Sequence, residues 1–445
     1  MLDVKITKLT VSDVRFPTSF EHHGSDAMHS DPDYSAAYVV LETDAENGFK
    51  GYGLTFTLGR GTEIVVCAVK ALTPLVLGKR FGDIVNDFRG FYRLLTSDGQ
   101  MRWIGPEKGV IHLATSAVLN AVWDLWAKME CKVNSSFFFV FQPEQLVSCI
   151  DFRYITDVLT EKEAVDILRK AQSGKEQREE QMLKNGYPAY TTSCAWLGYS
   201  DDHLRKLCVK ALEEGWTRFK VKVGADLQDD IRRCKLIREI IGPNNTLMID
   251  ANQRWNVDEA IKWVLSLAEF KPLWIEEPTS PDDILGHATI SKALAHLGIG
   301  VATGEQCHNK VMFKQLLQAK AVQFVQIDSC RLGSVNENIS VLLMANKFKV
   351  PVCPHAGGVG LCELVQHLIL FDYITVSGSL ENRMCEYVDH LHEHFKSPVI
   401  IKDAHYIPPQ DAGYSTEMKE DSVKKYQFPD GEIWQELSSQ MKCLT

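Results

Sequence analysis

Six side chains able to ligate a metal or move a proton recur through the second half of the chain. They are Lys222 in RFKVKVGAD, Asp250 in MIDANQRW, Glu276 in WIEEP, Glu305 in ATGEQ, Asp328 in QIDSC and His355 in CPHAGG. The gaps between them are 28, 26, 29, 23 and 27 residues. In RFKVKVGAD, Lys220 and Lys222 alternate with Phe219, Val221 and Val223. A strand has a side-chain period of two, so the two lysines share one face. Alone, such a pair describes a solvated sheet face, and a single carboxylate at a strand end describes a helix N-cap or a surface ion pair. The even spacing favours another reading, in which all six meet at one place.

Asp250, Glu276 and Glu305 come from three successive units. Brought together without a cation they would repel, and some would have to protonate. A hard dication removes the conflict, and all-oxygen ligands with open positions suit Mg2+. One Mg2+ per site is therefore expected. A like-charged neighbour and a nearby cation both favour a neutral amine, so one of Lys220 and Lys222 can serve as a base near neutral pH. Asp328 precedes His355 by one unit, and a carboxylate on one ring nitrogen fixes the tautomer and supports the imidazolium. The combination describes proton abstraction α to a carboxylate. The metal stabilises the enediolate, Lys222 is the base on one face, and His355 is the acid on the other. Where the β-carbon carries a hydroxyl, His355 protonates it and water departs.

The elements that must position these groups are legible as a pattern. From about Tyr187, short apolar runs alternate with amphipathic helical stretches: YPAYTTS, FKVKV, TLMID, PLWIE, GIGVAT, VQFVQID, VPVCP and YITVS. Eight such units predict a closed (β/α)8 barrel, whose repeat of about 31 residues places each of the six residues where a strand meets its loop. That rim is where barrel active sites lie. A doubly wound open sheet is the alternative; it usually has fewer strands, and the Gly-rich nucleotide loop it often carries after its first strand is absent. Ahead of the barrel, strand-like VKITKLTVSDVRF and AAYVVLETDA flank a polar loop, FPTSFEHHGSDAMHSDPDY, and helical patterns run from Thr62 to Lys132. Strands first and helices after predict a separate α+β domain. The last stretch, PPQDAGYSTEMKEDSVKKYQFPDG, is expected to wrap back over that domain.

The 445 residues allow two or three domains, and 45% hydrophobic with 24% charged residues is ordinary for a globular protein. A net charge of -10 and a pI near 5.8 argue against nucleic acid or an anionic membrane as partner. No apolar run is expected to approach the roughly 20 residues of a transmembrane helix. The first residues, MLDVKITKLTVSDVRF, carry neither a signal-peptide nor a transit-peptide pattern, and the 12 cysteines are scattered without a C-x-x-C pair. The expectation is a reduced, intracellular protein of the cytosol or mitochondrion. No G-x-x-x-x-G-K-[ST] loop supports phosphoryl transfer.

The Lys-x-Lys pair, the Asp/Glu/Glu triad and the Asp–His pair, in that order, resemble the enolase superfamily, mandelate racemase subgroup. Longer runs are similar to the L-fuconate dehydratases of that subgroup: GSDAMHSDPDYSAAYVV, RWIGPEKGV, YTTSCAWLGYSDD, WIEEPTSPDDILGH, CPHAGGVGLCELVQH and the FPDG tail. The resemblance covers nearly the whole chain. It implies an α/β fold, a (β/α)7β barrel with an α+β capping domain. The expected divisions are residues 1–145 for the cap, 146–395 for the barrel and 396–445 for the returning segment. It implies a hydro-lyase that uses Mg2+ to convert L-fuconate to 2-keto-3-deoxy-L-fuconate, and the dimers or larger homo-oligomers common in the superfamily. By position it implies Asp250, Glu276 and Glu305 as metal ligands, Lys222 as base, and His355 as acid oriented by Asp328. Substrate contacts are implied at Lys220, Asn252, Glu305 and Glu386 in MCEYVDH, and at Gly24, Ser25, Asp26 and Tyr34 of the polar loop. The chain departs from the resemblance in MECKVNSSFFFVFQPEQ (Met129–Gln145), where a helix-stopping Gly and a Pro give way to a Phe-rich run that would be prone to aggregate if exposed. The open alternatives are another acid-sugar dehydratase or a racemase of the subgroup, and a non-catalytic binding protein on the same scaffold.

Overall fold

Three antiparallel strands, β1 (Ile6–Arg15), β2 (Ser35–Thr43) and β3 (Lys50–Thr57), form a sheet in that order. This is a computed structural model, and it describes residues 3–105, 107–132 and 141–444. Of the Phe-rich segment anticipated as an aggregation risk, residues 133–140 lie outside the described residues. β3 packs on the helix Gly109–Met129 so closely that a Cβ added at Gly53 would stand 2.3 Å from the Ala117 carbonyl oxygen. Glycine is what permits the approach. This helix corrects one expectation from the sequence. Its 21 residues are long and apolar enough to cross a membrane, yet it is mostly buried between the sheet and the barrel helix Ser334–Phe348. All-round apolarity marks a core helix as well as a membrane span.

The barrel begins at β4 (Tyr187–Thr191) and continues in parallel through β5 (Arg218–Lys222), β6 (Thr246–Asp250), β7 (Trp274–Glu276), β8 (Gly300–Thr303) and β9 (Phe324–Val325). The next position is held by VPVCP, which makes one parallel bridge, Val352 to Val325, extended by Cys353 N donating to Val325 O at 2.8 Å and His355 N to Ile327 O at 3.0 Å. The eighth position differs from the sequence expectation. YITVS forms no strand: Asp372–Ser377 continue the helix Leu361–Phe371 as a π turn, with Asn346 Nδ2 donating to the Val376 carbonyl at 2.9 Å. The barrel closes instead through β10 (Cys385–Tyr387), which pairs in parallel with β4. The architecture is thus a (β/α)7β barrel beneath the α+β layer built on β1–β3. Inside it, Tyr190, Met248, Trp274, Ala302, Phe324, Cys353 and Met384 form an apolar plug below the polar rim.

The chain then makes a small hairpin, β11 (Ile401–Lys402) and β12 (His405–Tyr406), laid antiparallel on β4, and returns to the first layer. Asp124, buried in the core helix, accepts from Tyr52 N at 2.9 Å and Tyr414 N at 2.7 Å and pairs with Lys128 at 2.9 Å. One carboxylate therefore ties β3, the helix and the C-terminal segment together. Asp124→Ala should cost about 2 kcal/mol, since it strands the buried Tyr414 N–H and the half-buried Tyr52 N–H while Lys128 keeps Glu417 at 2.9 Å; a melting temperature within 1 °C of wild type would show that the tie carries nothing. The cysteines from Cys67 to Cys385 are free thiols, as expected.

Candidate active site

Strand register assembles the site. Lys222 lies opposite Asp250, and Asp250 opposite Glu276, across three neighbouring strands. All three side chains point into the barrel above the apolar plug. Glu305 follows β8 by two residues, and one oxygen from each of Asp250, Glu276 and Glu305 falls within 4.8 Å of the others. This all-oxygen donor set fits a hard dication. In the structure two ammonium groups provide the countercharge. Lys222 Nζ lies 2.6 Å from Asp250 Oδ2 and donates to Asn252 Oδ1 at 2.9 Å. Lys220 Nζ lies 2.7 Å from Glu276, 2.6 Å from Glu386 and 3.3 Å from Asp250.

The charge balance bears out the anticipated conflict among the carboxylates. Burial, reinforced by Asp250, pushes Glu276 up to about 8. Burial opposes ionisation of Asp250 too, but Lys222 and Lys220 hold it below the usual carboxylate range. Without a metal, burial and Lys220 press the pKa of Lys222 down, but Asp250, Asp26 and Glu305 together outweigh them and hold it as an ammonium, above the usual lysine range. Lys220 is engaged by Glu276 and Glu386, so its repulsion of Lys222 is offset. With a dication drawing on the same carboxylates, that hold weakens.

Across the mouth, His355 Nδ1 lies 2.7 Å from Asp328 Oδ2. Asp328 Oδ1 accepts from the backbone N–H of Cys330 and Arg331, each at 2.7 Å, so the carboxylate cannot swing. With Nδ1–H committed to Asp328, His355 presents Nε2 3.5 Å from Glu305 and 3.7 Å from Glu386. Burial works against its charged form, but Glu305 and Asp328 raise its pKa to about 9. Glu386 stands on β10 and accepts from Ala356 N at 3.0 Å. Asn252 adopts φ 46°, a left-handed backbone that only surrounding structure sustains in a non-glycine residue; its N–H donates to Asp250 Oδ1 at 3.0 Å.

A cavity of about 310 Å3 lies between this rim and the loop joining β1 to β2. Lys222, Asn252, Glu305, Asp328, His355 and Glu386 line it from the barrel, and Gly24, Asp26 and Tyr34 from the loop. Lys220, Asp250 and Glu276 lie buried beneath its floor. Ser25 does not line it; its hydroxyl donates to the Ser30 carbonyl at 3.3 Å. Gly24 sits at φ +77°, and a Cβ there would meet the Tyr34 ring at 2.4 Å. The sequence reading missed His29, Trp196, Gln306 and Arg331, which also line the cavity. Only proximity to motifs could have signalled them: His29 lies in GSDAMHSD and Gln306 in ATGEQ.

Residues 203–422 match the family described as Enolase C-terminal domain-like. Over 439 residues, 99% of each chain, the protein is 75% identical to mitochondrial enolase superfamily member 1 of Bos taurus. It is 53% identical to L-galactonate dehydratase of Hypocrea jecorina over 432 residues, 96% of this chain and 95% of that one. The crystal structure of human mitochondrial enolase superfamily member 1 superposes with a TM-score of 0.97 at 74% identity, covering 98% of this chain and 99% of that chain.

Proposed function

Because the chain belongs to the enolase superfamily, we propose that it is a Mg2+-dependent sugar-acid dehydratase that converts L-fuconate to 2-keto-3-deoxy-L-fuconate. The observation that carries this reading is the placement of two proton-moving groups around one mouth. Lys222 ends β5, and His355 follows Val352 at the seventh strand position, three positions away through β10 and β4. The groups thus stand on different arcs of the rim, where they can address opposite faces of one substrate.

Asp250, Glu276 and Glu305 would hold the Mg2+, which would supply positive charge to stabilise the enediolate of the substrate carboxylate. Lys220 adds a second positive charge beneath that carboxylate. Lys222 Nζ takes the α-proton. His355, fixed by Asp328, donates from Nε2 to the departing 3-hydroxyl, so that proton and hydroxyl leave as water and the enol formed becomes the 2-keto acid. Asn252, through its bond to Lys222, aims the base. The loop around Asp26 and Tyr34 closes the cavity over the rest of the sugar.

L-fuconate is the 6-deoxy counterpart of L-galactonate, the substrate in the name of the Hypocrea jecorina relative, so the two share the carbons that react. The name of the animal relatives supports a mitochondrial location. The test is a panel of acid sugars incubated with Mg2+ and assayed for 2-keto product. L-fuconate should be among the best substrates. A product epimeric at C2 with no 2-keto acid would point to a racemase, and binding without turnover of any acid would point to a non-catalytic receptor.

A further inference from the structure

The loop over the cavity carries an imidazole that the roles above leave unused. His29 Nδ1 lies 3.1 and 3.0 Å from the two carboxylate oxygens of Asp26. Asp26 Oδ1 also accepts from the backbone N–H of Met28 and of His29, each at 2.7 Å, and Asp26 N donates to the His29 carbonyl at 2.9 Å. Asp26 is thus occupied by its own loop, and its side chain is only 7% exposed. His29 is the more exposed partner, and it lines the same cavity as Lys222, Glu305 and His355. With Nδ1 turned to Asp26, Nε2 has no hydrogen-bond partner among the described residues, on a ring that lines this cavity and also a second one lined by Arg15, Asp31 and Trp434. The arrangement repeats the Asp328–His355 pairing, here on the cap side. Its place on the cap loop, across the cavity from the barrel rim that carries Lys222 and His355, suits it to recognition rather than to proton transfer.

We propose that His29 is a specificity-determining residue of this site, whose Nε2 hydrogen-bonds a hydroxyl on the far carbons of a six-carbon sugar acid, with Asp26 as the positioning residue that orients it. The proposal rests on the acid-sugar reading above. It makes Asp26 a residue that reads the sugar through His29, and it predicts that the site measures substrate length.

Calorimetric titration tests this on the Mg2+-loaded protein with two ligands: L-fuconate, and a four-carbon 2,3-dihydroxy acid that keeps the reacting carbons but lacks the far ones. His29→Ala should weaken L-fuconate binding about tenfold, the scale of one hydrogen bond involving a charged group, and leave the four-carbon acid unchanged. His29→Gln, whose amide reaches close to the Nε2 position, should recover part of the loss. Asp26→Asn should show the same length-selective loss, and by NMR the His29 pKa, raised mainly by its bond to Asp26, should fall. Equal loss for both ligands, no loss for either, or no binding of L-fuconate to the wild type overturns the proposal. Intact binding with no 2-keto product overturns the dehydratase reading instead.

Discussion

Lys222→Ala is expected to abolish dehydration and, with it, exchange of the substrate α-proton with deuterated solvent. A positioned base or acid contributes about 10²–10⁴-fold, and the loss should reach the upper end, because no neighbour can take over. Lys220 is held by Glu276 and Glu386 under the floor, and Asn252 offers no basic nitrogen. His355→Asn should differ in kind. Dehydration should fall by a similar factor, since nothing else faces the departing hydroxyl with a proton fixed by Asp328, but proton removal by Lys222 is untouched. Exchange, read by deuterium incorporation into recovered substrate, should therefore survive in His355→Asn where Lys222 releases its proton to solvent before returning it. Native-rate exchange in Lys222→Ala would place the base elsewhere and leave the paired lysines as binding groups.

The second large effect is on the metal. Glu276→Gln should reduce Mg2+ affinity at least about a hundredfold by calorimetry and take turnover to background, because a site for a dication loses one of its three anionic ligands. The fold should survive. The amide is nearly isosteric, its oxygen can still accept from Trp274 Nε1, now 3.1 Å from Glu276, and Lys220 keeps Glu386 at 2.6 Å. A melting temperature near that of the metal-free wild type would separate loss of the metal from loss of structure. Unchanged Mg2+ affinity would mean that the triad is not the metal site.

The site was more legible in the sequence than the scaffold that closes it. Asp250, Glu276 and Glu305 are spaced by one barrel unit, and register turns that spacing into adjacency, so a one-dimensional pattern carried a three-dimensional fact. YITVS failed because a short β-branched run reads the same whether buried in a sheet or buried all round in a helix. It is buried all round, as a π turn. The strand that closes the barrel is only Cys385–Tyr387, set in polar NRMCEYVDH, where no periodicity could show it. Glu386, which reaches both Lys220 and His355, was accordingly visible only through resemblance. Spacing shows that two lysines are neighbours but not that Glu386 neutralises one of them. Ser25 and His29 show the same limit in the loop, where which side chain faces inward depends on a local hydrogen-bond ring.

The contacts of the C-terminal segment also bear on how the protein is made. Trp434 Nε1 donates to the Arg15 carbonyl across 419 residues of sequence, Phe428 N donates to Asp13, and Gln427 bridges Val14 on the open side of β1. At about 5–20 residues per second, translation of that interval takes on the order of 20–80 seconds. Throughout it the outer edge of β1 waits on the ribosome as an unpaired template, the state in which strands recruit the wrong neighbour. The loop bearing Asp26 and His29 hangs from the same end of β1. Residues 427–434 therefore brace the start of the loop last, while Leu197 N already ties the Ser25 carbonyl to the barrel at 3.0 Å, so a nascent chain stopped near residue 420 would carry every barrel-rim group and that tie but leave the edge of β1 open.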